Sequence, residues 1–230
     1  MAMKSKKGTW LIGLGLLLIA AALFLAAYNL YDERRAEQAA QQAVEQLDAC
    51  LPAESPAETL PEGGETLPPA GPGEVEIPDY VLDPNHEMPV RNIDGEDYIG
   101  VLEIPSLGLT LPVMSEWSYP RLKTAPCRYT GSAYLGNLII AAHNYRSHFG
   151  NLKELCEGDV VRFTDMDGNV FSYEVVFLEV LQPTDVDEME SGDWDLTLFT
   201  CTVGGKSRVT VRCERTDEDM AGYVPASAKI

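Results

Sequence analysis

Residues 36–90 contain no Lys or Arg, although this stretch carries twelve acidic side chains. Phosphate binding needs a basic patch or stripe, and none is evident anywhere in the 230-residue chain, so nucleic acid is excluded as a partner. Much of the formal charge of −19 thus belongs to one acidic segment rather than to the domain that follows it. No CxxC pair occurs among the five cysteines, Cys50, Cys127, Cys156, Cys201 and Cys213, which removes the usual zinc-ligand spacing. They are also too few and too scattered for a disulfide-stapled scaffold, and their odd number leaves at least one thiol without an intrachain partner. Cys127, Cys156 and Cys213 read as buried small apolar residues. No internal repeat is evident, and few segments have helical periodicity.

What is present begins with residues 10–30, an uncharged apolar run of 21 residues. As a helix rising ~1.5 Å per residue it spans ~30 Å, the thickness of a bilayer's hydrocarbon core. Lys4, Lys6 and Lys7 precede it, while Asp32, Glu33, Arg34 and Arg35 follow. This bias predicts a cytoplasmic N-terminus (residues 1–9), a single retained transmembrane anchor (10–30) and a remainder on the extracellular face. A cleaved signal peptide is the rival, with Ala20, Ala21 and Ala22 as the small-residue site. Beyond it, Ala36, Ala39, Ala40, Ala43, Val44 and Leu47 recur at helical spacing. They predict that the helix continues over 31–49 as an exposed alanine-rich stalk. Nine prolines lie between Pro52 and Pro89, with many glutamates. Such a composition buries too little apolar surface to offset ordering entropy, which predicts a disordered acidic linker over 50–92.

Order is expected from about Asp97, in a domain over 93–217 followed by a tail over 218–230. Residues 98–114 give two extended runs broken at Pro105-Ser106, and residues 137–142 form an apolar run of strand length. Phe149 to Leu155 reads as a short helix. Residues 160–163 and 170–181 flank an Asp-Gly-Asn turn, a hairpin signal because these residues tolerate positive φ. Residues 196–201 and 208–213 flank a loop holding Gly204-Gly205. Many short strands with frequent turns predict an all-β fold, a closed or nearly closed barrel.

Three side chains at strand ends suit acyl-transfer chemistry. Cys201 ends an apolar strand as the chain enters the glycine-bearing loop, His143 ends the strand 138–142, and Arg208 opens the strand after the loop. If the last two strands pair as a hairpin, Cys201 and Arg208 face each other across its mouth. A thiolate nucleophile needs an imidazole or other cation to control its proton. The oxyanion formed by attack on a carbonyl needs fixed donors, and an always-charged guanidinium is better suited than lysine. Taken singly, each residue has a structural role as its commoner explanation.

The combination resembles a known family. Thr197-Leu198-Phe199-Thr200-Cys201 is similar to the TLxTC signature of sortases. Arg208-Val209-Thr210-Val211 resembles the strand carrying that family's essential arginine, and Ala142-His143-Asn144 resembles the segment with its histidine. Phe149-Gly150-Asn151-Leu152 is similar to the short helix that follows in several members. The order His, Cys, Arg also matches. The loop between Cys201 and Arg208 is short for the family, and Ala142 stands where many members have glycine. With the long N-terminal segment, these features lean towards class B or class D relatives.

The resemblance implies an eight-stranded sortase barrel with one or two short helices. It implies a cysteine transpeptidase tethered to the membrane of a Gram-positive cell. Cys201 would cut an LPxTG-like sorting signal on a secreted protein, forming a thioacyl enzyme. His143 would act as acid and base, Arg208 would stabilise the oxyanion or hold the peptide, and Thr200 would add a hydroxyl contact. The acceptor would be an amine, on a cell-wall precursor or a pilin lysine. No cofactor is expected. Asp185, Asp187, Glu188 and Glu190 lie where some sortases bind calcium, but their spacing matches no recognised site and a solvated acidic loop is favoured. A papain-like peptidase would place its Cys before its His, on a helix. A stalked, non-enzymatic β-domain for adhesion or sensing, with Cys201 merely buried, is the alternative.

Overall fold

The computed structural model describes residues 6–51, 78–191, 194–202 and 204–216. The expectations for residues 1–5, for the linker over 52–77 and for the tail from 217 onward lie outside the described residues.

Among the described residues nine strands form the domain: β1 (Arg91–Ile93), β2 (Glu96–Ile104), β3 (Leu109–Met114), β4 (Cys127–Thr130), β5 (Leu138–Ala142), β6 (Val160–Asp165), β7 (Val170–Leu181), β8 (Leu196–Cys201) and β9 (Arg208–Arg215). Their order is β1-β2-β3-β4-β5-β8-β9-β7-β6, and β6 pairs back onto β2. That last pairing closes β2 through β9 into an eight-stranded barrel, with β1 appended to the free end of β2. Gly100 makes the closure possible, because a Cβ there would lie 2.2 Å from the Thr164 carbonyl oxygen and 2.6 Å from the Phe163 ring. Pro105–Leu107, the expected break, is a 3-10 turn joining β2 to β3. The segment read as a short helix contains a 3-10 turn over Leu152–Glu154.

The barrel interior is filled from alternate positions. Leu196 and Leu198 of β8, Leu138 and Ile140 of β5, and Val211 and Cys213 of β9 are buried in one cluster with Phe163, Phe171 and Tyr173. Residues of opposite parity on β8 and β9 therefore point outward.

One helix departs from expectation. Helix α1 runs unbroken over Lys6–Asp48, and its first part is long and apolar enough to cross a membrane. Its outer half is no exposed stalk: Ala36, Ala40, Ala43 and Leu47 are buried. Ala43 and Leu47 share a second cluster with Ile93, Tyr98, Val101 and Met114. Small alanines let the helix approach the strands closely, which the sequence pattern alone could not distinguish from an unpartnered stripe. The docked helix also explains why β2 is buried over Tyr98, Ile99, Gly100, Val101 and Leu102 without alternation.

The domain also starts earlier than the expected linker boundary. Helix α2 (Asp79–Leu82) carries Tyr80, which stacks on Tyr134 with ring centroids 4.6 Å apart, and Met88 is buried in the barrel cluster. Residues 78–92 thus belong to the folded domain, because two large apolar side chains anchor a segment whose prolines and acids otherwise read as linker. Cys127 and Cys213 are buried, as their neighbours predict, and burial pushes both thiols up to about 12. Cys156, expected inside, is exposed in the turn before β6, where its N–H donates to Asp159 Oδ2.

Candidate active site

Three adjacent strands set the site. Parallel β5 and β8 pair from Leu138↔Leu196 to Ala142↔Thr200, so the next residues at their common end are His143 and Cys201. On the other flank, antiparallel β8 and β9 pair Cys201 directly with Arg208. With neighbouring strands about 4.8 Å apart, His143, Cys201 and Arg208 start from one row across three strands. Parity puts Cys201 and Arg208 on the outer face of the barrel, in the same orientation as Phe199 and Arg212.

Thr200 points the other way. It is buried, and its hydroxyl donates to the Ala142 carbonyl at 2.9 Å. The role visible here is to tie the ends of β5 and β8 together just before His143 and Cys201.

Cys201 is exposed and free. Among the described residues Arg208 makes no ion pair; its Nη1 donates only long bonds to the carbonyls of Gly205 and Ser207, at 3.4 and 3.3 Å. The guanidinium is therefore held over the loop with donors left for a ligand. Thr202 and Ser207 close that loop through their backbones, Thr202 N–H to Ser207 O at 2.9 Å, and positive φ at Gly204 and Gly205 permits the tight reversal.

His143 opens a tightly folded segment. Phe149 N–H donates to the His143 carbonyl, and His148 and Gly150 N–H both donate to the Tyr145 carbonyl. A Cβ on Gly150 would come within 2.7 Å of the Asn144 carbonyl oxygen, so glycine is needed for this fold-back. The imidazole of His143 lies flat on Tyr145, with centroids 4.1 Å apart and planes 12° apart. Burial pushes His143 below the ordinary histidine value, although the neighbouring Asn144 side chain opposes the shift. A neutral imidazole is thereby favoured, which suits a proton acceptor.

A groove of about 200 Å³ runs past Cys201 and Arg208. Its walls include Trp117 and Tyr129, on either side of helix α3 (Tyr119–Leu122), with Phe199 and Met189. Trp117 packs against Tyr129 and Tyr129 against Phe199, with centroids 5.6 and 5.4 Å apart, making one aromatic wall. The opposite wall is helix α4 (Val186–Glu190), clamped from below by Arg212. That buried guanidinium donates to the Glu188 and Met189 carbonyls at 2.6 and 3.0 Å, to Thr197 Oγ1 at 2.9 Å and to Glu179 Oε1 at 2.9 Å. Sequence reasoning missed the aromatic wall, because Trp117 and Tyr129 flank a different connection and only closure of the sheet brings them to Cys201.

The acidic residues before β8 are distributed over this clamp. Asp185 accepts from the Gln182 N–H and the Thr184 hydroxyl, and Glu188 contributes its backbone carbonyl to Arg212.

An exposed thiol, an arginine paired directly across from it and a largely apolar groove lie at one end of a closed β-barrel, with His143 at the end of the neighbouring strand. The sortase-domain family model matches residues 102–216, half of the chain, and the chain belongs to the sortase family. Solved structures it resembles include sortase A from Corynebacterium diphtheriae (24% identity, covering 57% of this chain and 64% of that one, TM-score 0.49). Sortase C from Clostridium perfringens SM101 is 29% identical, with 62% and 77% covered and a TM-score of 0.44. A Clostridium perfringens sortase D5 transpeptidase is 23% identical, with 60% and 94% covered and a TM-score of 0.48. The chain thus spans less than two thirds of the C. diphtheriae protein's length. No curated protein sequence matches it.

Proposed function

We propose that this sortase is anchored in the membrane by α1, with its barrel on the extracellular face. It cleaves an LPxTG-like sorting signal and transfers the acyl fragment to an amine on a cell-wall precursor or a pilin lysine. The observation that supports this reading is the register: Cys201 pairs with Arg208 beside the groove, and His143 directly follows Ala142, whose partner Thr200 directly precedes Cys201.

The groove binds the extended signal peptide along its aromatic wall. His143 accepts the Cys201 thiol proton as the sulfur attacks the threonine-like carbonyl carbon, forming the C–S bond. Arg208 donates to the oxygen that becomes negative. Collapse of the tetrahedral species breaks the C–N bond, and the imidazolium returns its proton to the departing amine. An incoming amine then attacks the thioester and gives its proton to His143, the C–S bond breaks, and the sulfur is reprotonated. Atoms and charge balance over the cycle, with no cofactor entering it.

The test is incubation of the full chain with a small library of sorting-signal peptides and an amine acceptor, followed by mass spectrometry. The expected result is cleavage at one motif with amide-linked product, both abolished in Cys201→Ala while its circular dichroism is unchanged. Turnover retained in Cys201→Ala, or no cleavage of any peptide by the parent, overturns the reading.

A further inference from the structure

His143 has no hydrogen bond of its own at Nδ1, which is buried without a partner among the described residues. Its ring lies flat on Tyr145, and the Asn144 side chain also reaches it. Tyr145 is in turn held from outside the barrel. Its hydroxyl donates to Asp32 Oδ2 at 2.5 Å, across 113 residues of sequence. Beside it, the Arg146 N–H donates to Glu33 Oε1 at 2.8 Å. Asp32 and Glu33 occupy the turn of α1 directly after the apolar run that ends at Leu30. The apolar docking stripe of Ala36, Ala40, Ala43 and Leu47 lies further along the helix. The Asp32 contact is therefore an addition to docking, made at the start of the docked half of α1 beside the segment that follows His143.

We propose that Asp32 is a positioning residue for the acid–base step: by fixing the Tyr145 ring on which His143 stacks, the juxtamembrane turn of α1 completes the active site. The proposal rests on the reading of His143 as the acid and base. An imidazole that must meet both a thiol and a leaving amine has to be held at a defined angle, and a stacking partner tethered at its far end restricts that angle. The hydrogen bond to a carboxylate is of the stronger, charge-assisted kind. It couples docking of the membrane helix to geometry at the sulfur, two elements that the sequence separates by the whole linker.

The experiment uses the full chain in detergent micelles and four variants: Tyr145→Phe, which keeps the ring and removes the hydroxyl, Asp32→Ala, their double variant, and Glu37→Gln as an exposed control on the same helix. Two readouts are taken: turnover of a fluorogenic LPxTG-like peptide, and NMR titration of the His143 imidazole. Each single variant should lose roughly tenfold in kcat, with KM changed less than about twofold. The double variant should lose no more than either single one, because both break the same link. Glu37→Gln should match the parent. In the titration, Tyr145→Phe and Asp32→Ala should both move the His143 resonance, with Asp32→Ala lowering the midpoint, since the Asp32 carboxylate favours the imidazolium and Lys123 opposes it. Unchanged kcat in both single variants, or losses that multiply in the double one, overturn the proposal. If the parent cleaves no sorting-signal peptide, the functional reading fails separately and the titration decides: identical His143 curves in parent and variants overturn the positioning role.

Discussion

Arg208 and Arg212 share a strand and a face, yet their surroundings assign them different work. Arg208 borders the groove with donors to spare, whereas Arg212 is buried beneath α4 with four hydrogen bonds. Arg208→Ala should lower turnover by about 100–1000-fold with an unchanged melting temperature, the usual effect of losing one oxyanion donor. Arg212→Ala should instead destabilise the fold by about 3–5 kcal/mol, because it orphans a half-buried carboxylate and two carbonyls. Its activity loss should follow release of α4 from the groove. Thermal melts and steady-state kinetics on both variants check this, and the reverse assignment would contradict it. Parity in the sequence puts both arginines on one face; only the packing of α4 shows that one of them is structural.

His148 gives a pH dependence of stability. It is fully buried, with both ring nitrogens unpartnered among the described residues, and burial followed by the nearby His143 pushes it down to about 4. The unfolded chain takes up this proton below about pH 6.5, while the fold resists it until about pH 4. Stability should therefore be flat above pH 6.5 and fall by roughly 3 kcal/mol between pH 6.5 and 4. Urea titrations at pH 7.5, 6 and 5 should show this slope in the parent and a shallower one in His148→Gln. Equal slopes would contradict the assignment. The sequence places His148 five residues after His143, but nothing in it says that Phe149 and Gly150 fold the ring inward.

At the scale of elements, most barrel strands were legible, whereas β4 and the N-terminal elements were not. Apolar runs bounded by turns marked β2, β3, β5, β8 and β9 almost to the residue, because each is a short stretch whose inward side chains must fill a closed interior. The docked half of α1 and helix α2 escaped this logic. Alanine gives a weak periodic signal, and Tyr80 and Met88 are single anchors within a polar, proline-rich stretch. A chain beginning near Met88 removes both segments, exposing the face of β2 that Ala43 and Leu47 cover. Leu47 alone, buried completely, is worth about 2–5 kcal/mol against alanine. A chain of residues 27–230 should keep the melting temperature and peptide turnover of the full protein, whereas residues 88–230 should lose several degrees and turnover. Equal behaviour of the two would show that the docking contributes nothing.

At the scale of the whole molecule, the apolar run of α1 ends at Leu30 and Asp32 already touches the segment carrying His143. If α1 spans a bilayer, the segment that follows His143 sits within about one helical turn, ~5 Å, of its surface. Under the proposed function, a sorting signal and its amine acceptor would meet at that interface. The positions of His143, Cys201 and Arg208 at three strand ends were legible. The aromatic wall and the link to α1 were not, since both depend on how distant segments close around the barrel. The central claim is that Cys201 carries the acyl group covalently. Intact-mass analysis of the full chain, quenched in acid after mixing with a cleaved sorting-signal peptide and no amine, tests it directly. The account predicts a mass increase equal to the N-terminal peptide fragment, mapped to Cys201, absent in Cys201→Ala and discharged on adding an amine. Cleavage with no adduct at any time point, or an adduct on another cysteine, would contradict it.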